Sequence, residues 1–491
     1  MNIALFQYAT SSMHFGTSVF LADKSTKLNE VFYFLWSNET LMPNRMASNY
    51  HNLFKLNNKK LFEYFFSLNK KIHFSTKMEI SNEHLTSNYQ LLGQKMIMDC
   101  GNLENIRKFD GILSGAGSAL ANELASRGFD KNTQIKNIKK LILKLYKSYV
   151  FAYLSTCEEI ENNQIQLAYI YNGRFLHERA SWEACKSKKI EVKIFENIRN
   201  RYYLSEAGFH NRKLNQKKII LNWKNSKTNY SRKLDLAKNY FASFETKSNP
   251  FFTVQNNEFL GDMNKEDRYI VYFSNSDKEA FGFWETWNEP FGNQLVAVRK
   301  LVDVLKPIKY KLIIRLHPNL INDKKKYLLS WLNFSDTSNV LVVKPDDKVS
   351  SYALLRNAIG VITYGSTLGI EAAWNLIPSA VLADCKYDEL GIADKLHNSK
   401  EIKQWVFSLN KFSKLKLKQR KIGAAKWAYW VEESGIKIPL CTFKDKGWGA
   451  WDILDYRGIE LPLESENKLI PKLNYLWRNF KFNYLLEVDK F

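Results

Sequence analysis

The strongest constraint in this chain is a regular exchange of short apolar runs and helical segments between Tyr269 and Ala383. Apolar runs at Tyr269–Phe273, Lys311–Leu316, Val340–Val343 and Ile359–Thr363 are each four to six residues long. They are continuous rather than alternating, which is how strands buried on both faces read. Between them, helical patterning covers about Phe291–Leu305, Asp323–Leu332, Val349–Asn357 and Leu368–Asn375. This spacing predicts a doubly wound parallel sheet, whose right-handed crossovers bring the C-terminal strand ends to one side. Every run ends in a polar turn: Ser274-Asn275-Ser276-Asp277, His317-Pro318-Asn319, Lys344-Pro345-Asp346 and Tyr364-Gly365-Ser366-Thr367. Ser274, Ser276, His317, Lys344, Ser366 and Thr367 are therefore expected to line one crevice, with Asn319 and Gly365 in the same turns.

The last turn sits in the stretch GVITYGSTLGIEAAWNLIPSAVLAD, from Gly360 to Asp384. A strand feeding a helix through Gly-Ser-Thr offers backbone N–H groups and hydroxyls at a helix N-terminus, where an anion is readily held. Glu371 lies about one turn further in, within reach of a ribose. The plainer reading is a capped helix packed on a sheet, because Ser and Thr are ordinary N-caps.

Residues 1–247 read as a less regular α/β domain, 248–267 as a linker, 268–400 as the doubly wound domain and 401–491 as a helical, aromatic segment. In the first domain, strands are expected at Ile3–Tyr8, Glu30–Trp36, Gln166–Tyr171 and Glu191–Phe195, and helices over Asn52–Asn69, Gln134–Glu161 and the stretch up to Lys188. Ser11–Thr17 is a polar turn after the first strand, the place where α/β proteins hold ligands, and it makes His14 a candidate base. Two later strand ends deliver Asn172, Arg174 and Glu196 to one sheet edge, where an arginine suits a phosphate or carboxylate. Two further helices are expected near 212–223 and 230–247.

Length and charge narrow the classes. A chain of 491 residues exceeds one ordinary core, and two or three domains are expected. No apolar run approaches the roughly 18 residues of a membrane-crossing helix, and MNIALFQYATSS reads as a buried first strand rather than a signal peptide. The five cysteines (Cys100, Cys157, Cys185, Cys385, Cys441) are scattered without a CxxC pair, which argues against a disulfide framework or zinc site and fits a reducing cytoplasm. A formal charge of +22 calls for anionic company: nucleic acid, an anionic membrane face or phosphorylated substrates. No finger, RNP strand or recognition helix is legible, so nucleic acid is not the expected partner. Lys411–Lys426 carries seven basic residues and no acid, followed by Trp427, Tyr429 and Trp430. It reads either as a solvated helix packed on the protein or as a basic helix at an anionic bilayer.

"RLHPN" at 315–319 together with "GSTLGIEAAWNLIPSAVL" at 365–382 resembles the donor-binding half of bacterial glycosyltransferases with the GT-B fold, in particular capsule and surface-polysaccharide biosynthesis proteins. "HFGT" at His14–Thr17, "YNGRF" at Tyr171–Phe175 and Glu196 are similar to recurring marks of the same proteins. The likeness covers most of residues 1–395 and is strongest over 268–383. It implies two Rossmann-like domains facing a cleft, and the basic helical C-terminal segment read from residues 411–430 lies beyond the likeness. The acceptor would lie on the N-terminal side and a nucleotide-sugar donor on the C-terminal side. It further implies that His317 with Ser366 and Thr367 holds the donor phosphate and that Glu371 holds the ribose. No Asp-x-Asp metal motif is present, so neither a metal nor a resident cofactor is expected. The glycine-flanked acidic base of related sialic-acid and Kdo transferases has Asp110-Gly111 as its counterpart here, and the base stays open among His14, Asp110 and Glu196.

The expected function is thus a cytoplasmic, metal-independent glycosyltransferase extending a capsule, O-antigen or related surface glycan, with a glycan or lipid-linked acceptor and a peripheral place at the inner membrane face. Two alternatives stand beside it. One is a polyol-phosphate transferase using a CDP-activated donor; the other is a non-catalytic, basic RNA- or membrane-binding protein.

Overall fold

A computed structural model describes residues 1–8, 12–36, 69–75, 88–109, 113–127, 129, 131–198, 201–206, 208, 211–245, 268–275, 289–308, 310–322, 325–347, 349–438, 441–445, 451–456 and 459–460. The chain divides into two compact α/β units: Met1–Phe209 with Ile436–Asp445 and Gly449–Phe491, and His210–Gly435 with Lys446–Trp448.

The first unit holds β1 (Asn2–Tyr8), α1 (Ser12–Ser25), β2 (Glu30–Trp36), β3 (Ile72–Ser75), α2 (Asn88–Asp99), α3 (Leu103–Lys108), α4 (Ala116–Ser126) and α5 (Lys139–Asn162). It continues with β4 (Leu167–Tyr171), α6 (Leu176–Ser187), β5 (Glu191–Ile198) and β6 (Arg201–Ser205). A seven-stranded sheet runs in the order β13-β6-β5-β4-β1-β2-β3, where β13 is Ile436–Lys437. β1 pairs in parallel with β2 and β4, and Ile3, Ala4, Leu5 and Phe6 are at most 2% exposed, as befits a strand covered on both faces. Only β6 runs against the others: it pairs antiparallel with β5 on one side and with β13 on the other.

In the second unit, β7 (Tyr269–Phe273), β8 (Lys311–Arg315), β9 (Val340–Val343), β10 (Gly360–Thr363), β11 (Ser379–Val381) and β12 (Asp394–Lys395) form an all-parallel sheet, ordered β12-β11-β10-β7-β8-β9. Its helices are α7 (Arg212–Asn225), α8 (Tyr230–Glu245), α9 (Gln294–Leu305), α10 (Lys325–Leu332), α11 (Ser351–Arg356), α12 (Leu368–Trp374), α13 (Ser399–Ser408) and α14 (Lys414–Glu433). The side chains of β7 alternate between two cores: Ile270 and Tyr272 join α9 and α13, while Tyr269, Val271 and Phe273 join α11 and α12. The expected doubly wound domain is therefore present, with a regular α/β core.

Three boundaries differ from the sequence reading, each for a physical reason. The linker expected at 248–267 lies outside the described residues, and the contact boundary falls earlier, between Phe209 and His210. α7 and α8 belong to the second unit because they pack on α14, and because Arg212 and Gln216 of α7 bond Asp388. β5 does not stop at Phe195 but runs to Ile198, since it turns into a hairpin with β6 that pairs Glu196 with Tyr203. Finally, the tail is not wholly helical. After α14, Ile436–Lys437 adds a strand to the first unit's sheet, and β14 (Cys441–Asp445), β15 (Trp451–Tyr456) and β16 (Ile459–Glu460) form a small antiparallel sheet.

The basic stretch 411–426 is largely α14, capped by Ser413, whose side chain accepts from the Lys416 amide. Its buried face is made of small residues and aromatics. Gly423, Ala424, Ala425, Trp427, Ala428 and Tyr429 are buried, and the Tyr429 hydroxyl bonds Ser226 and Thr228. Trp427 is therefore core and not a membrane anchor. Lys411, Lys414, Lys416, Lys418 and Leu415 remain exposed at the N-terminal end.

Candidate functional site

In the second unit β7 is the starting strand. The chain runs outward through β8 and β9, then crosses back to β10 on the other side of β7. The crevice outside the carboxyl ends of β7 and β10 is thus a topological switch point, where open α/β sheets take their ligands. Register places Val381, Thr363, Phe273, Arg315 and Val343 in one row across the sheet, so the turns that follow them share one edge.

The turns at this edge are held from beneath. The Ser274 hydroxyl accepts from the His317 amide at 2.7 Å, and Ser274 is 2% exposed, so it orders the loop carrying the half-buried His317. The fully buried Gln294 side chain grips Asn275 at both ends: its Oε1 accepts from the Asn275 N–H at 2.8 Å and its Nε2 donates to the Asn275 carbonyl at 3.0 Å. On the β10 side, the Gly365 N–H donates to Thr363 Oγ1 at 3.1 Å, and the buried Tyr387 hydroxyl, 2.9 Å from Thr363 Oγ1, donates to the Ser366 carbonyl at 2.7 Å. Gly365 has φ 104°, and a Cβ there would lie 3.0 Å from Cys385 Cβ and 3.8 Å from Asn275 Nδ2. Only glycine suits that backbone, and the contact shows how closely the two loops approach. Gly369 is required for a different reason, since a Cβ there would come within 2.3 Å of the Tyr387 hydroxyl.

The sequence-selected residues fall into distinct positions. Ser366 is half-buried and its Oγ accepts from the Leu368 amide at 3.4 Å, whereas Thr367 is exposed at the start of α12. Glu371 is 8% exposed, in the first turn of α12. Lys344 is exposed at the end of β9, three strand positions from β10 and hence roughly 14 Å away. Its carbonyl accepts from Arg315, a buried guanidinium whose pKa is pulled down to about 10 by burial, against Asp347 and Asp346. Ser276 and the Asn319 side chain lie outside the described residues. Gln294, Tyr387 and Arg315 were not singled out from sequence; their partners are 19 to 29 residues away, and nothing local marks them.

The first unit has its own switch point, between β1 and β4. Past β4, Asn172 and Gly173 both take left-handed backbone, at φ 56° and 75°. The Asn172 N–H donates to the Phe195 carbonyl at 2.9 Å, and its side-chain amide donates to Glu196 Oε2. Asn172 and Glu196 are therefore brought together, and the Asn197 amide adds a second donor to Glu196 at 3.3 Å. Burial, then the Glu196 carboxylate, pushes the Tyr171 hydroxyl well up, while Arg174 opposes the shift. The half-buried Arg174 guanidinium lies over the Phe175 ring at 4.8 Å. Thr17 of "HFGT" is fully buried and accepts from Asn197 Nδ2 at 2.7 Å, which pins α1 to β5. His14 falls in the first turn of α1 with its side chain outside the described residues, and Asp110 lies outside them altogether. A carboxylate oriented by two amide donors can accept a proton, and an arginine guanidinium can steady an anion.

Among the described residues, no cluster of three or more His, Cys, Asp or Glu could hold a metal, and no helix is long and apolar enough to cross a membrane.

No family model matches the sequence, and no curated protein matches it. Solved structures are similar at low identity. The UDP-N-acetylglucosamine 2-epimerase described as putative from Listeria monocytogenes is 12% identical over 87% of this chain and 93% of its own, with a TM-score of 0.28. The Neisseria meningitidis UDP-GlcNAc 2-epimerase bound to UDP-GlcNAc is 11% identical over 87% and 98%, with a TM-score of 0.31. The β-Kdo 2,4 transferase KpsC of Thermosulfurimonas dismutans is 12% identical over 53% and 79%, with a TM-score of 0.35. Likenesses this loose fix neither a reaction nor a substrate for this chain.

Proposed function

We propose that this chain is a glycosyltransferase that takes a nucleotide-sugar donor and extends a surface glycan, of capsule or O-antigen type, in the cytoplasm. The observation that carries the reading is the β7/β10 switch point, where two anchored turns offer backbone N–H groups, the Ser366 and Thr367 hydroxyls and the neighbouring His317. A departing nucleotide phosphate gains negative charge in the transition state, and fixed donors of this kind stabilise it without reorganising. Glu371, in the first turn of α12, is the residue that would meet the ribose. Of the three candidate bases, Glu196 is oriented by Asn172 and the Asn197 amide, and His14 and Asp110 stand beside it as candidates. Attachment to an anionic membrane face belongs to the same reading, resting on charge alone at Lys411, Lys414 and Lys418, because the aromatic residues that follow are packed.

Calorimetric titration with UDP, CMP, CDP, GDP and RNA tests this. One nucleotide is expected to bind, and Ser366→Ala with Thr367→Ala should weaken it by one to two decades, equivalent to roughly 1.5–3 kcal/mol for a hydrogen bond to a charged group. Absence of nucleotide binding, or equal affinity in the double variant, overturns the site. A preference for CDP would redirect the reading to a polyol-phosphate transferase, and RNA binding to a binding protein. Turnover is expected to survive EDTA; activity lost on chelation and restored by magnesium would contradict the metal-free mechanism.

A further inference from the structure

Away from both switch points, the first unit carries a groove of about 220 Å³ between α2 and α5, lined by Tyr89, Gln94, Leu143, Lys144, Tyr146 and Lys147 among others. The Tyr146 ring lies against Gly93 of α2 and, with Leu143 and Val150, makes the groove mostly apolar. Its rim is cationic. From Lys139 to Cys157, α5 carries four lysines and no acid, and Lys140, Lys144 and Lys147 fall on one exposed face at i, i+4, i+7. Lys144 and Lys147 have no ion-pair partner among the described residues. On the other lip, Leu91 and Met98 of α2 are 61% and 76% exposed, with Lys95 on the turn between them.

From these features we infer that the α2/α5 groove binds an alkyl phosphate, with the phosphate on Lys144 and Lys147 and the first stretch of hydrocarbon along Leu143, Tyr146 and Val150. The volume supports this division. It falls below the roughly 300–1,000 Å³ of sites that enclose a whole drug-sized ligand, so a headgroup and the start of a chain fit while the remainder stays outside, as at a bilayer surface. A sugar would find few polar partners on the apolar floor, and an apolar chain alone would gain nothing from the lysines. The inference does not depend on the nucleotide site.

The test uses the full chain with decyl phosphate below its micelle concentration, with inorganic phosphate and decyl maltoside as controls, followed by calorimetry. Decyl phosphate is expected to bind and the two controls to fail. Lys144→Glu/Lys147→Glu should weaken binding at least tenfold, and so should Gln94→Trp, an exposed position where an indole blocks the groove. Unchanged thermal midpoints confirm that both variants are folded. Equal affinity in either folded variant, or equal binding of either control, overturns the inference. Vesicle flotation with anionic phospholipid against a free decyl phosphate competitor then separates the membrane headgroup from a soluble lipid phosphate as the source. Failure of every nucleotide to bind would leave this result standing, and failure of decyl phosphate would leave the nucleotide site standing.

Discussion

Replacing Arg212 by methionine is expected to destabilise the second unit by about 3–5 kcal/mol, the usual effect of removing one partner from a buried ion pair. Arg212 is 4% exposed and donates through Nη1 to both Asp388 oxygens, at 2.9 and 2.7 Å, and through Nη2 to Asp384. The Gln216 amide adds a bond to Asp388 at 2.7 Å, and Lys395 lies 2.9 Å from the same carboxylate. The buried Asp388, the partly buried Asp384 and the more exposed Glu389 thus share two cations, Arg212 and Lys395, and the loss of Arg212 leaves Lys395 alone against them. Lys395 is partly exposed and would absorb part of the imbalance, which places the effect at the lower end of the range. For a unit of this size the midpoint should fall by roughly 10 °C. Converting Arg212, Asp384 and Asp388 together to Met, Leu and Leu should recover most of the loss, because a packed apolar cluster replaces the whole network. A single variant that melts within a degree or two of the wild type would show that α7 is not held to the 384–389 loop by this network.

Glu178→Gln is expected to stabilise the first unit at alkaline pH and to leave it unchanged near pH 4. Glu178 stands in the first turn of α6, 1% exposed, and among the described residues neither carboxyl oxygen has a hydrogen-bond partner outside its own residue. Burial pushes its pKa up to about 8, with Glu123 reinforcing the shift and its own amide and Arg174 opposing it. A folded pKa raised above the unfolded value, here 4.5, means that the stability is fully present below pH 4.5 and is lost as pH rises through 8. The full loss is roughly 3–5 kcal/mol, at 1.36 kcal/mol per unit. His177 works in the opposite direction. It is buried against Ser148 at 2.9 Å, and burial, then Arg127, lowers its pKa from 6.5 to about 3, so its contribution is present above pH 6.5 and fades as pH falls toward 3. The two slopes cancel between about pH 4.5 and 6.5, which predicts a plateau there and a decline from pH 6.5 to 8 in the wild type. Denaturant unfolding across pH 4–9 should show that decline abolished by Glu178→Gln. An identical pH profile in the variant would mean that the carboxyl finds a partner.

What the sequence made legible follows from which forces act locally. The parallel strands of the second unit were readable because burial on both faces demands continuous apolar runs, and β2, β7 and β9 have the bounds that their composition suggests. The polar turns at the strand ends followed from the same pattern. Their inner support did not. Gln294 beneath Asn275 and Tyr387 beneath Ser366 are single residues whose meaning depends on a fold already assembled. Ser274 and Glu371 were legible as candidates, but not their burial, because periodicity identifies the turn and not the direction in which each side chain faces. The Arg212 network joins residues more than 170 positions apart and leaves no local trace. The strand at Ile436–Lys437, only two residues long, gave no pattern to read.

That short strand has a consequence for the order of events on the ribosome. It pairs with β6 at the edge of the first unit's sheet, and Ile438 beside it is 3% exposed in the same core as Leu5, Val31 and Tyr202. The first unit therefore lacks a piece of its core until more than 430 residues have been made, while all of the second but Lys446–Trp448 lies in one stretch from His210 to Gly435. Domains usually fold as they emerge, N-terminal first. Here the later-made unit closes first, and the earlier one waits with β6 as an unpaired edge, the kind of strand that recruits foreign partners. A chain truncated after Gly435 should consequently yield a protease-resistant second unit and a first unit more open to cleavage.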